Sequence, residues 1–381
     1  AGRKENSSLW ISNRQSYDVS YAEEKSSQFH ARGNGFRSKS VFSILDAIIA
    51  CGNDKDLHSG HRIHADVLEQ GLHNKDGYIS NALISMYVKC GALEKAWHTF
   101  SQLPTKDMVS LNALIVSYAQ HGLVNQALFF VRLMLDKGLT PDAPTFACVL
   151  KACGSIRSIK LGEEIHFEVI RKGLLEKSIM LGTALLDMYG KCGAIAKAQQ
   201  VFYELPLRDV VSWNALITGY VQNGYAEEAL ILLEGMQRDG LSPDAVTFLS
   251  ILKACGSLTA VDKGKEIHEQ ILRKGLLEKR WLLGTALVDM YVKCSSLEKA
   301  REVFDAVPIH DVVSWNSLIA GYTTHGNGEE ALKCFEHMQL EGVSPNSVTF
   351  ICSLKACGST GEIGKGEAIH NEIKRNIVCG S

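Results

Sequence analysis

The sequence predicts an all-α chain, a solenoid of helix-turn-helix repeats, and three observations predict it. The first is a long internal period. Lys151-Ala152-Cys153-Gly154-Ser155 returns 102 residues later as Lys253 to Ser257, and after another 102 as Lys355 to Ser359, without insertion. Self-similarity at a fixed period signals stacked supersecondary units. The second is apolar periodicity: Leu283, Leu287, Met290 and Tyr291 recur at i, i+4, i+7 and i+8, one face of a helix. A break follows, then a second stripe, Ala300, Val303 and Phe304. The third is proline placement. Pro104, Pro206 and Pro308 are spaced by the period, as are Pro141, Pro243 and Pro345, and only Pro144 of the seven stands apart. Proline lacks the amide donor that a helix interior requires, so it collects at junctions between repeats.

These punctuation marks divide each period into repeats of 36, 31 and 35 residues. The chain parses into 41–76, 77–107, 108–142, 143–178, 179–209, 210–244, 245–280, 281–311, 312–346 and 347–381. The last repeat holds 35 residues where its equivalents hold 36, so the stack reads as cut. Each repeat is a pair of helices of about a dozen residues, too short to be stable without neighbours. Residues 1–40 are serine-rich and poor in apolar side chains, which reads as a disordered leader or a degenerate repeat. An organelle-targeting remnant is the other reading, from Arg3, Arg14, Arg32 and Arg37 among the serines. Glu5, Asp18, Glu23 and Glu24 oppose it, because transit peptides are poor in acids.

With 381 residues and 46% apolar content the chain is long enough for two ordinary domains, but the repeat overrides that prior. A solenoid buries its core between successive layers instead. A net charge of −2 argues against indiscriminate polyanion binding and permits a basic stripe on one face. No apolar run approaches a membrane span, so no membrane partner is expected. Eleven cysteines invite a metal or disulfide reading, yet Cys51, Cys153, Cys255 and Cys357 share one helical position and Cys90, Cys192 and Cys294 another. Such cysteines read as packing residues, and unpaired thiols suit a reducing compartment. His64, His166, His268 and His370 recur once per period, spread along the stack, which reads as structural or surface placement. Neither a metal nor a cofactor is expected.

Repeats of three lengths in fixed cyclic order, such as Val210-Val211-Ser212-Trp213-Asn214-Ala215-Leu216-Ile217 through Leu241-Ser242-Pro243-Asp244, resemble pentatricopeptide repeats of the mixed-length plant type. The 36-, 31- and 35-residue repeats resemble its long, short and standard motifs, over nearly nine-tenths of the chain. The resemblance implies a right-handed superhelical solenoid that binds single-stranded RNA in a mitochondrion or chloroplast, one nucleotide per repeat. It implies that the fifth and last residues of a repeat choose the base, which helical repeats can do by offering one base edge a small set of donors and acceptors. The implied pairs are Asn81 with Asp107, Asn112 with Asp142 and Asn214 with Asp244 for uracil. Thr183 with Asp209 and Thr285 with Asp311 imply guanine, and Asn316 with Asn346 implies cytosine. The long repeats depart from the pattern: their fifth residues, Leu45, Ala147, Leu249 and Ile351, have no side-chain hydrogen-bonding group, and they read as spacers. With the amino end toward the RNA 5′ end, the implied target is 5′-nUUnGUnGCn-3′ within ten positions, the first also unread.

Asn is a mediocre helix former, so Asn112, Asn214 and Asn316 amid apolar stripes suit a ligand-facing role. The alternative is that they hydrogen-bond neighbouring repeats. Val109, Val211 and Val313 match the family's base-flanking position and could equally be core. Lys89, Lys191 and Lys293 lie eight residues after Asn81, Thr183 and Thr285, about two turns on and on roughly the same face. They resemble the family's phosphate-contacting position; Lys151, Lys253 and Lys355 add charge in the long repeats, and a merely solvated face is the other reading.

Many mixed-length members end in a zinc deaminase that converts cytidine to uridine, which requires His-x-Glu near Pro-Cys-x-x-Cys. His166-Phe167-Glu168 is present, but Pro-Cys-x-x-Cys is absent from the sequence, and no phosphate-binding glycine loop is found. The chain therefore reads as a binding array without a catalyst, most simply the specificity portion of an RNA-editing factor with other editing-complex proteins as partners. A protein-binding helical scaffold and an RNA stability or processing factor are the alternatives.

Overall fold

The computed structural model describes residues 38–72, 77–103, 108–277 and 281–379. Among them it forms twenty helices, in ten consecutive pairs, and no strand. The fold class is all-α, built of helix-turn-helix repeats as the sequence leads one to expect. The leader readings for 1–40 fall, up to residue 37, outside the described residues, as do Pro104 and Asp107. The earliest helix, Ser38–Asp54, takes in three residues ahead of the expected start at 41. Ser38, Lys39 and Ser40 include neither glycine nor proline to stop it.

The described residues form two compact bodies, one up to Ser117 and one from Tyr118 onward. In the first, helix Ser38–Asp54 packs on Gly77–Lys89, which also packs on Leu93–Ser101. In the second, helix Ile179–Lys191 packs on Ala143–Ser155 before it, on Val210–Gln222 after it and on its own partner Ile195–Glu204. The apolar stripes explain this order. Leu283, Leu287, Met290 and Tyr291 are fully buried, as are Ala300, Val303 and Phe304 of the paired helix. Burying a side chain of that size stabilises by about 1.5–3 kcal/mol, far more than helix propensity gives so short a helix. Trp213 and Trp315, one period apart, each stand edge-on to a phenylalanine of the preceding repeat, Phe202 at 4.6 Å and Phe304 at 4.5 Å between centroids.

The recurring Lys-Ala-Cys-Gly-Ser segment now has a physical reason. Ala152, Cys153 and Gly154 are buried against the next first helix. A Cβ at Gly154 would lie 3.2 Å from the Cα of Met188 and from Cδ of Lys191, so glycine is what lets the helices approach. Ser155 donates to the Lys151 carbonyl at 3.0 Å, and Lys151 itself is exposed.

Candidate nucleic-acid interface

Five of the last residues expected to choose a base turn out to have a local duty. Asp142, Asp209, Asp244, Asp311 and Asn346 are the N-caps of the helices that open the following repeats. Each side chain accepts a hydrogen bond from the backbone N–H three residues on, at 2.8 to 3.1 Å. Four of them close a full capping box with Ser212, Thr247, Ser314 or Thr349. Asp and Asn are the preferred caps for this reason, so local helix chemistry alone accounts for their presence. Sequence reasoning assigned them only to base choice and missed the cap, although the spacing to Ser or Thr signals it.

Two of the expected pairs are joined directly. Asn214 Nδ2 donates to Asp244 Oδ1 at 2.9 Å, and Thr247 Oγ1 donates to Asn214 Oδ1 at 2.6 Å. Asn316 Nδ2 donates to Asn346 Oδ1 at 3.1 Å, and Thr349 Oγ1 donates to Asn316 Oδ1 at 2.6 Å. The neighbour-bonding alternative is therefore real for these two asparagines. It does not exhaust them, since an amide NH2 has two hydrogens and one bond uses one of them. Asn214 is 7% exposed and held from two sides. In the short repeats the arrangement differs: Thr183 and Thr285 are half-buried, and no hydrogen bond joins them to Asp209 or Asp311 among the described residues. Asn81 and Asn112 are half-buried in the first body, and Asp142 caps its helix in the second. The partner expected for Asn81, Asp107, lies outside the described residues.

Beside Asn316 and Asn346 lies an open groove of about 700 Å³, lined also by Val313, Val348, Lys293 and Asp289. Val109, Val211 and Val313 are 54 to 57% exposed, which removes the core reading for them. Sequence reasoning named only these three. Tyr78, Met180, Val246, Leu282 and Val348 hold the same second position in their helices and are exposed too. The signal was an apolar residue at the second position of helix after helix, including the long and short repeats.

The lysines are held in place by their neighbours. Lys191 pairs with Asp187 at 2.7 Å and Lys293 with Asp289 at 2.6 Å, while Lys89 donates to Asn53 at 3.1 Å. Their stems run over Gly154, Gly256 and Gly52 respectively. Ion pairs this exposed are worth at most about 1 kcal/mol, so the ammonium groups can exchange aspartate for another anion. Lys253 and Lys355 are exposed.

Three of the four periodic histidines and the buried cysteines are spent on packing, whereas His370 is exposed. His64, His166 and His268 bond through Nδ1 to the hydroxyls of Tyr87, Tyr189 and Tyr291 at 2.7, 2.8 and 3.1 Å. Burial lowers the His166 and His268 pKa and pushes the three tyrosines up to about 12. His166, the first residue of the deaminase-like triplet, is thereby a structural partner of Tyr189. Cys153 and Cys255 are buried, and Cys294 Sγ lies 3.9 Å from the Cys255 carbonyl. Among the described residues no cluster of His, Cys, Asp and Glu is arranged to hold a metal, and no helix is long and apolar enough to cross a membrane.

Comparison with known proteins places this geometry in a family. A model described as the PPR repeat family matches residues 208–257 and 310–359, and one described as the PPR repeat matches 78–108, 109–139, 183–210 and 285–307. The chain belongs to the pentatricopeptide repeat family. A pentatricopeptide repeat-containing protein of Arabidopsis thaliana is 37% identical over 344 residues, which is 90% of this chain and 60% of that one. A second Arabidopsis relative, named as mitochondrial, is 36% identical over 395 residues, 96% of this chain and 43% of its own length. A third, named as chloroplastic, is 34% identical over 345 residues, 87% and 38%. The chain thus spans roughly half the length of these relatives. Among solved structures, pentatricopeptide repeat protein PPR10 in complex with an 18-nt psaJ RNA element matches with a TM-score of 0.67 at 16% identity, over 94% of this chain and 53% of that one. The crystal structure of pentatricopeptide repeat protein PPR10 from maize matches with a TM-score of 0.54 at 19% identity, over 95% of this chain and 61% of that one. At such identity the likeness is one of fold.

Proposed function

We propose that this chain is a mixed-length pentatricopeptide array that binds single-stranded RNA by sequence, one nucleotide per repeat, near 5′-nUUnGUnGCn-3′. The observation that supports it best is the contrast between the two joined pairs. With Asp244 as partner, Asn214 has one remaining N–H to donate and the carboxylate has oxygen to accept, a donor beside an acceptor. Uracil answers with a carbonyl on either side of its N3–H. With Asn346 as partner, the oxygen is occupied by the helix cap and both amides present N–H groups, two donors side by side. Cytosine has two adjacent acceptors, O2 and N3; uracil does not. Asp209 and Asp311, not joined to the threonines, offer acceptors to the adjacent N1–H and N2–H2 donors of guanine.

The exposed Val211 and Val313 supply apolar faces on which a base rests, and Lys89, Lys191 and Lys293 supply exchangeable cations for phosphate. PPR10 was solved with RNA, and relatives carry mitochondrial and chloroplastic names, which supports an organellar home, mitochondrion or chloroplast. The order of long, short and standard repeats supports the specificity array of a C-to-U editing factor, with the deaminase outside residues 1–381 and other editing proteins as partners. The test is titration with the matched RNA and with a control in which each G becomes A and each pyrimidine a purine, at two salt concentrations. A large preference for the matched RNA, weakening with salt, is expected. Equal binding or none overturns the reading and brings forward a protein-binding scaffold.

A further inference from the structure

We infer that Thr247 and Thr349, the third residues of the long repeats that follow, are positioning residues that fix which face of the base-reading asparagine meets RNA. This rests on the base-reading function proposed above and extends it to a third residue. The two threonines are fully buried, and each occupies the corner between a capping carbonyl group and an amide. Thr247 Oγ1 accepts the Asp244 backbone N–H at 3.1 Å and has a single hydrogen of its own. That hydrogen goes to Asn214 Oδ1, at 2.6 Å, in preference to Asp244 Oδ1 at 3.1 Å. The amide oxygen is thereby turned inward and its NH2 toward the partner and the open side. Thr349 repeats the arrangement, accepting from the Asn346 N–H at 3.0 Å and donating to Asn316 at 2.6 Å.

The same register differs with the type of repeat elsewhere in the chain. Where the fifth residue is apolar, as in the long repeats with Ala147 and Leu249, the residue in the threonine's place is Leu181 or Leu283, fully buried. Where the fifth residue is threonine, a serine stands there: Ser212 and Ser314 turn their hydroxyls to the carbonyls of Asp209 and Asp311, both at 2.9 Å. Asparagine has two unlike ends to orient, and Asn214 and Asn316 each meet a threonine, while Asn81 of the short repeat 77–107 is followed at this register by Ser110.

The experiment uses the full chain and RNAs differing only in U or C at nucleotide six, facing 210–244, or at nucleotide nine, facing 312–346. Thr247→Val is expected to shrink the U preference at nucleotide six by about fivefold, leaving nucleotide nine unchanged. Thr349→Val is expected to shrink the C preference at nucleotide nine and leave nucleotide six unchanged. Thr247→Ser and Thr349→Ser, which keep the hydroxyl and serve as folded controls, retain both preferences. Valine variants that weaken U and C alike, or leave the ratios intact, overturn the inference while the base-reading function stands. A wild-type chain that separates neither pyrimidine overturns the base-reading function itself, and this inference with it.

Discussion

Replacing Asp244 separates its two duties. Asp244→Ala removes the acceptor for the N–H groups of Val246 at 2.9 Å and Thr247 at 3.0 Å, which costs about 1 kcal/mol for a lost cap. It also strips Asn214 Nδ2, in a nearly buried amide, of its partner, which costs about another 1 kcal/mol. The sum, about 2 kcal/mol, lowers the melting temperature of a body this size by about 4–8 °C. Asp244→Asn keeps an oxygen in the same place. Asn346 shows that such an amide caps its helix and still accepts from the asparagine of its repeat. That variant is therefore expected to stay within about 0.5 kcal/mol of the parent. Circular dichroism melts of both variants, with hydrogen exchange at the Val246 and Thr247 amides, make the measurement. An Asp244→Asn protein as unstable as Asp244→Ala would show that the negative charge and not the hydrogen-bond geometry stabilises this junction.

Other outcomes follow from the same packing. Tyr189 and Tyr291 ionise at about 12 in the fold, against about 10 unfolded, so their contribution is intact below pH 10 and lost as pH rises toward 12. Tyrosinate absorbance and helix signal should then change together on alkaline titration; ionisation of every tyrosine with helices intact would contradict it. His166 and His268 are held below the ordinary 6.5, chiefly by burial, so the unfolded chain takes up protons first and stability falls as pH drops below 6.5. Melts across that range, compared with His166→Gln, check the sign. Cys153 is pushed up to about 12 and Cys255 to about 11, and both are buried, so a thiol reagent near neutral pH should modify them only after unfolding. Lys293→Ala should weaken matched and mismatched RNA by the same factor and reduce the salt slope by about 0.7, read by titration across salt.

The fold was legible because its causes are local and repeated. Stripes such as Leu283, Leu287, Met290 and Tyr291 announce a buried helix face, and prolines such as Pro243 announce the junctions. The exposed position of Val211 was legible only as a possibility, since one valine near a helix start is compatible with core or surface; the layer above decides which. The double duty of Asp244 was written in the sequence as Asp-Ala-Val-Thr, a capping signature that the base-reading assignment overshadowed. What could not be read was the bond between Thr247 and Asn214. It joins residues 33 apart and depends on how closely two first helices approach. Likewise, the pairing of Lys191 with Asp187 is an ordinary i,i+4 contact whose relation to Gly154 of the repeat before appears only after folding.

The most direct measurement is the base preference of Asn346→Asp at nucleotide nine, with all four bases offered there and the other nine nucleotides held constant. The side chain keeps its capping oxygen and exchanges an outward N–H pair for a carboxylate oxygen, making the 312–346 junction chemically like that of 210–244. The expected result is a change of preference from cytosine to uracil at nucleotide nine alone, with unchanged melting temperature. An unchanged preference at that position, or equal loss of affinity for all four bases, would contradict base choice by this pair of residues.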